Sequence, residues 1–91
     1  MFEWDPIKAT SNLERHEVSF EEASTVFFDS KALDGPDLEH SIDEPRFIRL
    51  GKSLNEKILV VVYTLRRSSH GFTKIRIISA RKASRKERKA Y

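Results

Sequence analysis

The spacing of apolar residues differs between the two halves of this chain. In the first half, apolar residues recur three or four positions apart, as Ala23, Val26 and Phe27 do, which is typical of an amphipathic helix. From residue 46 onward they alternate with polar residues or form continuous β-branched runs, which is typical of strands. The pattern therefore predicts helices followed by strands, after a short opening strand at residues 2–4.

The first predicted helix has its N-terminal signal at Asp5-Pro6. Aspartate is a favoured N-cap, and proline is favoured at the first helical position because its missing N–H is not needed there. We expect this helix to run to about Arg15, with Ile7 and Leu13 facing the core.

The second predicted helix begins with a capping box at residues 19–22, in which Ser19 and Glu22 would satisfy each other's backbone N–H groups. Val18 and Ala23 flank this cap as a hydrophobic staple. Phe27 is expected in the core, and the helix is expected to end near Asp29.

Residues 30–45 are polar and acidic, and Gly35-Pro36 is a turn signal. This segment is predicted to be a flexible loop that holds a short edge strand around Lys31 to Leu33.

Three strands are predicted in the second half, with short connections between them. Arg46 to Leu50 alternates, Ile58 to Leu65 suits a central strand buried on both faces, and Phe72 to Ala80 follows. The connections at Gly51 to Glu56 and Ser68 to Gly71 allow antiparallel hairpins. Strands grouped after helices indicate an α+β fold, an antiparallel sheet with two helices on one face.

Residues 83–91 are expected to form either a basic helix or a disordered tail.

Length and composition limit the classes of protein. The chain has 91 residues and no cysteine, which fits one domain over residues 1–91 in a reducing cytoplasm. No apolar run is long enough to span a membrane, and the N-terminus lacks the pattern of a secretory signal. The location we expect is the cytoplasm, with no membrane partner.

The net charge of +3 conceals a strong asymmetry. Residues 1–45 hold three Lys/Arg against twelve Asp/Glu, a net of −9, and residues 46–91 hold fourteen against two, a net of +12. Such asymmetry favours a polyanion partner for the basic half, and mutual neutralisation of the two halves explains it equally well.

Most catalytic signatures are absent: the chain has no glycine-rich phosphate loop, no HExxH, no GxSxG and no cysteine nucleophile. His16, His40 and His70 lack metal-ligand spacing, so we expect neither a metal nor another cofactor. His40 lies in the acidic loop, and imidazole is a common general acid or base.

Arginines on or beside the predicted strands are the strongest chemical signal. They are Arg46, Arg49, Arg66, Arg76 and Arg81. A guanidinium fork matches phosphate oxygens and stays charged at any useful pH. Taken singly, each arginine more often covers a solvated sheet face; as a set, they favour phosphate binding.

The tail from Arg81 to Tyr91 holds six basic residues and one glutamate, a composition that binds phosphates without reading sequence. Tyr91 would stack on a base or donate a proton. The residues assigned to general RNA binding are Arg49, Lys82, Arg85, Lys86, Arg88 and Lys89.

These residues together resemble the BrnT-type toxins. The opening FEWDPIKATSNLERHEVSFEEASTVFFD carries the family's W-D-P, Lys8-Ala9, Asn12 and His16 pattern, and Glu44-x-Arg46, VVVYTLRR and IRIISARKASRKERKAY agree in the second half. The resemblance implies a RelE-like fold and a toxin of a type II toxin–antitoxin system that cleaves RNA without a metal and inhibits translation. It also implies a ribbon-helix-helix antitoxin that blocks the toxin, with the complex binding operator DNA.

The resemblance also suggests roles for single residues. Glu44 would be the general base, His40 a competing acid or base, and Tyr91 an acid or stacking group. The phosphate and transition-state cations would be Arg46, Arg66, Arg76 and Arg81. Lys8 and His16 would be structural.

Two other classes of function fit the sequence. One is a non-catalytic binding module of the same fold that acts on a protein such as a topoisomerase, since a fold does not fix its function. The other is a DNA-binding protein, against which stands the lack of an evident recognition helix.

Overall fold

The computed structural model describes all 91 residues, and its strands form one five-stranded sheet. The strands are β1 (Phe2–Glu3), β2 (Leu33–Pro36), β3 (Phe47–Lys52), β4 (Ile58–Arg67) and β5 (Thr73–Lys82), in the spatial order β1-β5-β4-β3-β2. The helices are α1 (Pro6–His16), α2 (Phe20–Ser24) and α3 (Arg85–Ala90), with 3-10 turns at Thr25–Phe28 and Leu38–His40. The predicted α+β class is confirmed, and β4 lies at the centre of the sheet as expected.

The sheet is mixed, so the prediction of a purely antiparallel sheet was wrong. β2, β3, β4 and β5 pair antiparallel, but β1 pairs with β5 in parallel, with Phe2 opposite Ile75. A hairpin forces two strands to run antiparallel, whereas β1 is separated from β5 by most of the chain and is free of that constraint.

Helix α1 begins as predicted but faces the sheet with a different residue. The Asp5 side chain accepts the Ile7 N–H, and proline follows at the first helical position. Ile7 and Leu13 are exposed, so their assignment to the core was wrong. The buried residue is Asn12, whose amide bonds both the N–H and the C=O of Ala80 on β5. The hydrogen bonds of the buried Asn12 amide, and not a stripe of apolar residues, therefore attach this helix to the sheet.

Only one half of the capping box predicted for α2 is formed. Ser19 caps the helix by accepting the Glu22 N–H, but the Glu22 carboxylate accepts a hydrogen bond from the Ser53 hydroxyl at 2.8 Å. After Ser24 the helix tightens into the 3-10 turn, which ends one residue before Asp29.

The core lies between these helical segments and one face of the sheet. Its buried members are Val18, Phe20, Ala23, Val26, Leu59, Val61, Ile77 and Ala80. Phe27 packs against this cluster, as predicted, and its ring centroid lies 4.9 Å from that of Tyr63 on β4. The buried side chains of β4 include Val60 and Thr64 on the other face, which fits the prediction of a strand shielded on both sides.

The edge strand lies further along the acidic loop than expected. It spans Leu33–Pro36 and not Lys31 to Leu33, and Gly35-Pro36 belongs to the strand and does not form a turn. Proline is compatible with this position because β2 is an edge strand with one side free of pairing.

The basic tail forms helix α3, which decides between the two predicted alternatives. Ser84 and Glu87 make a complete capping box at its start. None of the helices has the length and apolar run needed to cross a bilayer.

Candidate active site

The two faces of the sheet carry different side chains. Leu59, Val61 and Ile77 face the helices, so Val60, Thr64 and Arg66 on β4 face the opposite way, because side chains alternate along a strand. Arg76 pairs with Thr64, and Arg81 pairs with Val60, which places both arginines on the same face as Arg66. We call this surface the open face; it carries three of the predicted phosphate-binding arginines.

A pocket of about 280 Å³ lies beside the Thr64 end of β4. Its walls include three of the predicted site residues, His40, Glu44 and Arg46. The remaining lining residues are Glu39, Ile42 and Asp43. The acidic loop, which holds Asp37 and Ser41, folds back so that its end meets the start of β3, and Asp37 N donates to Arg46 O at 2.8 Å.

Asp37 holds His40 at the mouth of this pocket. The Nδ1 atom of His40 is 3.1 Å from each carboxylate oxygen of Asp37, leaving Nε2 free. Asp37 is buried, whereas the His40 side chain is 63% exposed. Asp37 was not among the predicted site residues. Its spacing of three residues from His40 was the available signal, because residues i and i+3 eclipse in a 3-10 turn.

Arg66 contacts Glu44, whereas Arg46 lines the pocket and has one hydrogen-bond donor without a partner. The Nη2 atom of Arg66 lies 3.4 Å from both carboxylate oxygens of Glu44. The Nε atom of Arg46 is buried and has no hydrogen-bond partner, although Ser41 accepts the Arg46 backbone N–H at 3.0 Å. Arg46 thus has an unused donor beside the pocket, and a buried unpaired donor is uncommon in folded proteins.

Arg76 extends the positive surface across the open face. It forms an ion pair with Glu3 on β1 at 2.8 Å. The hydrogen bond from Arg76 lowers the pKa of the Glu3 carboxyl, and the charges of Lys74 and Arg66 lower it further. Arg76, Lys74 and Arg66 therefore all favour the ionised form of Glu3.

Arg81 lies on the open face but away from the pocket. Its cross-strand partner Val60 is four residues from Thr64, which corresponds to about 13 Å along β4. Its guanidinium contacts both carboxylate oxygens of Glu87 at 2.7 and 2.9 Å. This hydrogen bonding lowers the pKa of Glu87 to about 2.

Tyr91 is also separate from the pocket. Its hydroxyl donates to Asp29, which in turn accepts the backbone N–H of Lys52, at the end of β3 opposite Arg46. The hydrogen bond to Asp29 raises the pKa of the Tyr91 phenol.

The structure thus brings Glu44, Arg46, Arg66 and His40 together and leaves Arg81 and Tyr91 at the other end of the sheet.

The residues predicted for general RNA binding occupy two environments. Arg49 lies on the helix side of the sheet, where it binds the Asp34 carboxylate and the carbonyl oxygens of Val26 and Asp29. The others are exposed at the end of β5 or on α3: Lys82, Arg85, Lys86, Arg88 and Lys89. Of these, Arg88 donates to the Ala83 carbonyl.

The pocket has the groups needed for phosphodiester chemistry. Glu44 and His40 can accept or donate protons, and Arg46 and Arg66 can bind phosphate oxygens. No set of three or more His, Asp or Glu side chains is grouped in a way that would hold a metal ion.

Comparison with known families identifies this chain's relatives. The model of a family described as the ribonuclease toxin BrnT of type II toxin–antitoxin systems matches residues 4–87. No curated protein matches the chain.

Proposed function

This chain belongs to the BrnT family of ribonuclease toxins of type II toxin–antitoxin systems, and from this premise we propose that it cleaves RNA by internal attack of the 2′-hydroxyl, without a metal ion. The observation that carries the mechanism is the pocket in which His40, Glu44 and Arg46 meet, with Arg66 bound to Glu44. It combines proton-transfer groups with cations and opens beside an arginine-bearing sheet face.

The reaction needs two proton transfers and stabilisation of one phosphorane. Glu44 accepts the 2′-hydroxyl proton as the 2′-oxygen forms its bond to phosphorus. The bond from phosphorus to the 5′-oxygen breaks, and His40, oriented by Asp37 through Nδ1, donates a proton from Nε2 to the leaving oxygen. The products are a 2′,3′-cyclic phosphate and a 5′-hydroxyl.

Arg46 and Arg66 stabilise the charge that develops on the phosphorane oxygens. Arg66 lies on β4 and Arg46 directly precedes β3, so both cations are beside the pocket before this charge appears and little reorganisation is needed. RNA phosphate would replace Glu44 as the partner of Arg66, which also frees the carboxylate to act as a base.

The partners follow from the family and the charge pattern. We propose a ribbon-helix-helix antitoxin that covers the open face, a toxin–antitoxin complex that binds operator DNA, and a RelE-like arrangement of helices and sheet. Inhibition of translation in the cytoplasm would be the consequence of RNA cleavage.

The decisive experiment is cleavage of a defined, protein-free RNA by the purified chain in the presence of EDTA. Wild type is compared with His40→Ala and with the antitoxin complex. We expect cleavage by wild type, with 2′,3′-cyclic phosphate ends, and strong loss of activity in the other two samples.

If wild type leaves free RNA intact, the same assay is run with translating ribosomes. Cleavage there identifies a ribosome-dependent ribonuclease. Intact RNA in both assays contradicts the proposal and favours a non-catalytic binder that acts on a protein target.

A further inference from the structure

A second polar recess lies between α1 and β5, apart from the pocket described above. It measures about 230 Å³ and is lined by Lys8, Ser11, Asn12, Arg15, His16, Ile78 and Ser79. Lys8, Ser11 and Arg15 follow one another at intervals of three and four residues, which places them on one face of α1. The recess therefore collects three basic side chains and two hydroxyls in one place.

The basic side chains of this recess are not neutralised by the protein. Lys8, Arg15 and His16 form no salt bridge, in contrast to Arg66, Arg76 and Arg81, each of which is paired with a carboxylate. The Ser11 and Ser79 hydroxyls form no hydrogen bond within the chain. These are the donors that an anion would use.

The frame of the recess is rigid. Asn12 forms its floor and bonds Val18 O at 3.0 Å, Ala80 O at 2.8 Å and Ala80 N at 3.1 Å. Two of these hydrogen bonds join α1 to Ala80 on β5, and the third joins it to Val18 in the segment that follows the helix. Lys8, Ser11 and Arg15 are exposed on α1, so their donors are open to an anion, and the bonds of Asn12 hold the backbone that carries them beside β5.

The recess adjoins the open face. Ser79 pairs with Val62 of β4, and Arg76 pairs with Thr64, so Ser79 and Arg76 lie on the same face of the sheet. β1 covers β5 only at Ile75 and Arg76, which leaves the edge of β5 beside Ser79 accessible from α1. A polyanion lying across the open face would reach the recess at this edge.

We propose that this recess is a phosphate subsite, in which Lys8, Arg15 and His16, with the Ser11 and Ser79 hydroxyls, hold a backbone phosphate of the RNA at a distance from the cleaved bond. Identification of the anion as RNA rests on the proposed function. Such a contact positions the strand without reading its bases.

The test uses a fluorescent 2′-O-methyl RNA oligonucleotide, which lacks the attacking hydroxyl and is not cut. Binding is measured at several salt concentrations for wild type, for Lys8→Ala/Arg15→Ala, and for Lys31→Ala/Lys57→Ala, which removes the same charge elsewhere. We expect the first double variant to bind about tenfold more weakly and its salt slope to fall by about one, while the control retains wild-type binding. Equal behaviour of the two double variants overturns the subsite.

A second measurement does not depend on RNA. Inorganic phosphate is titrated into labelled protein, and the amide resonances of Ser11 and Ser79 are followed by NMR. We expect both to move in wild type and to stay in place in Lys8→Ala/Arg15→Ala. Resonances that stay in place in wild type overturn the anion site.

Cleavage of unmodified RNA by the same preparations separates this inference from the proposed function. Loss of binding in Lys8→Ala/Arg15→Ala together with a wild type that cleaves no RNA, either free or on translating ribosomes, supports the subsite and contradicts the ribonuclease mechanism. An active wild type whose RNA binding is unaffected by Lys8→Ala/Arg15→Ala contradicts the subsite alone.

Discussion

Asp37 holds the imidazole of His40 through a contact of 3.1 Å between Nδ1 and each carboxylate oxygen. Asp37 is itself buried and fixed by its backbone, whose N–H donates to Arg46 O and whose carbonyl accepts the Ser41 hydroxyl. The orientation of an exposed histidine thus depends on a buried carboxylate three residues away. Asp37 acts as a positioning residue for His40, and its contribution can be measured separately from that of the histidine.

The first prediction concerns this pair. Asp37→Asn should lower kcat for RNA cleavage about 100-fold with little change in KM, because the ring loses the charged partner that orients it, whereas phosphate contacts stay intact. Steady-state kinetics on a short RNA measures both constants. His70→Ala is the control, since His70 is exposed in the turn between β4 and β5 and should keep full activity. Equal kcat for Asp37→Asn and wild type contradicts the positioning role.

The second prediction compares two adjacent arginines on β4. Arg66 lies on the open face and contacts Glu44, whereas Arg67 lies on the other side of the strand and forms no salt bridge. Arg66→Ala should reduce kcat/KM for cleavage by about 100-fold, which corresponds to about 2.7 kcal/mol of lost transition-state stabilisation. Arg67→Ala should reduce it by a few-fold at most, through the loss of long-range charge. Similar losses in the two variants would show that only net charge matters.

The third prediction concerns stability. Asn12→Ala leaves the Ala80 N–H, the Ala80 C=O and the Val18 C=O without their partner, and we expect it to lower the free energy of unfolding by about 3 kcal/mol. Urea denaturation measures this change. Glu14→Ala, on the exposed side of the same helix, should stay within about 0.5 kcal/mol of wild type. A small effect of Asn12→Ala would mean that water replaces the lost hydrogen bonds.

The fold was largely predictable where local signals act alone. The Asp5 cap, the Ser19 cap and the β-branched run of β4 each depend on neighbouring residues, and the structure confirms them. The errors occur where distant contacts decide. The core side of α1 is set by Asn12 and its bonds to β5, and apolar periodicity contains no information on such a contact.

The residue types of the candidate site could be predicted from the sequence, but their positions in the fold could not. His40, Glu44 and Arg46 were selected for their chemistry, and the fold of the acidic loop brings them together. Arg81 and Tyr91 were selected on the same grounds, yet their positions depend on strand register and on the path of α3. Neither can be read from residue spacing.

The last prediction follows from the pair formed by Glu87 and Arg81. The hydrogen bonds from Arg81 and Ser84 lower the pKa of Glu87 to about 2, below its usual value of 4.5. A carboxyl with a lowered pKa in the folded state stabilises that state above its usual pKa, and the contribution is lost as the pH falls from about 4.5 to about 2. Glu87→Gln should therefore weaken α3 at pH 7, by no more than about 1 kcal/mol because the pair is partly exposed, and the difference from wild type should shrink as the pH falls towards 2. Amide exchange at Arg88, whose N–H donates to Ser84 O, reports on this helix directly. Glu56→Gln, an exposed carboxylate without an ion pair, is the control and should match wild type across the whole pH range. A difference between Glu87→Gln and wild type that persists unchanged to pH 2 would contradict the charge-based account and point to the shape of the side chain instead.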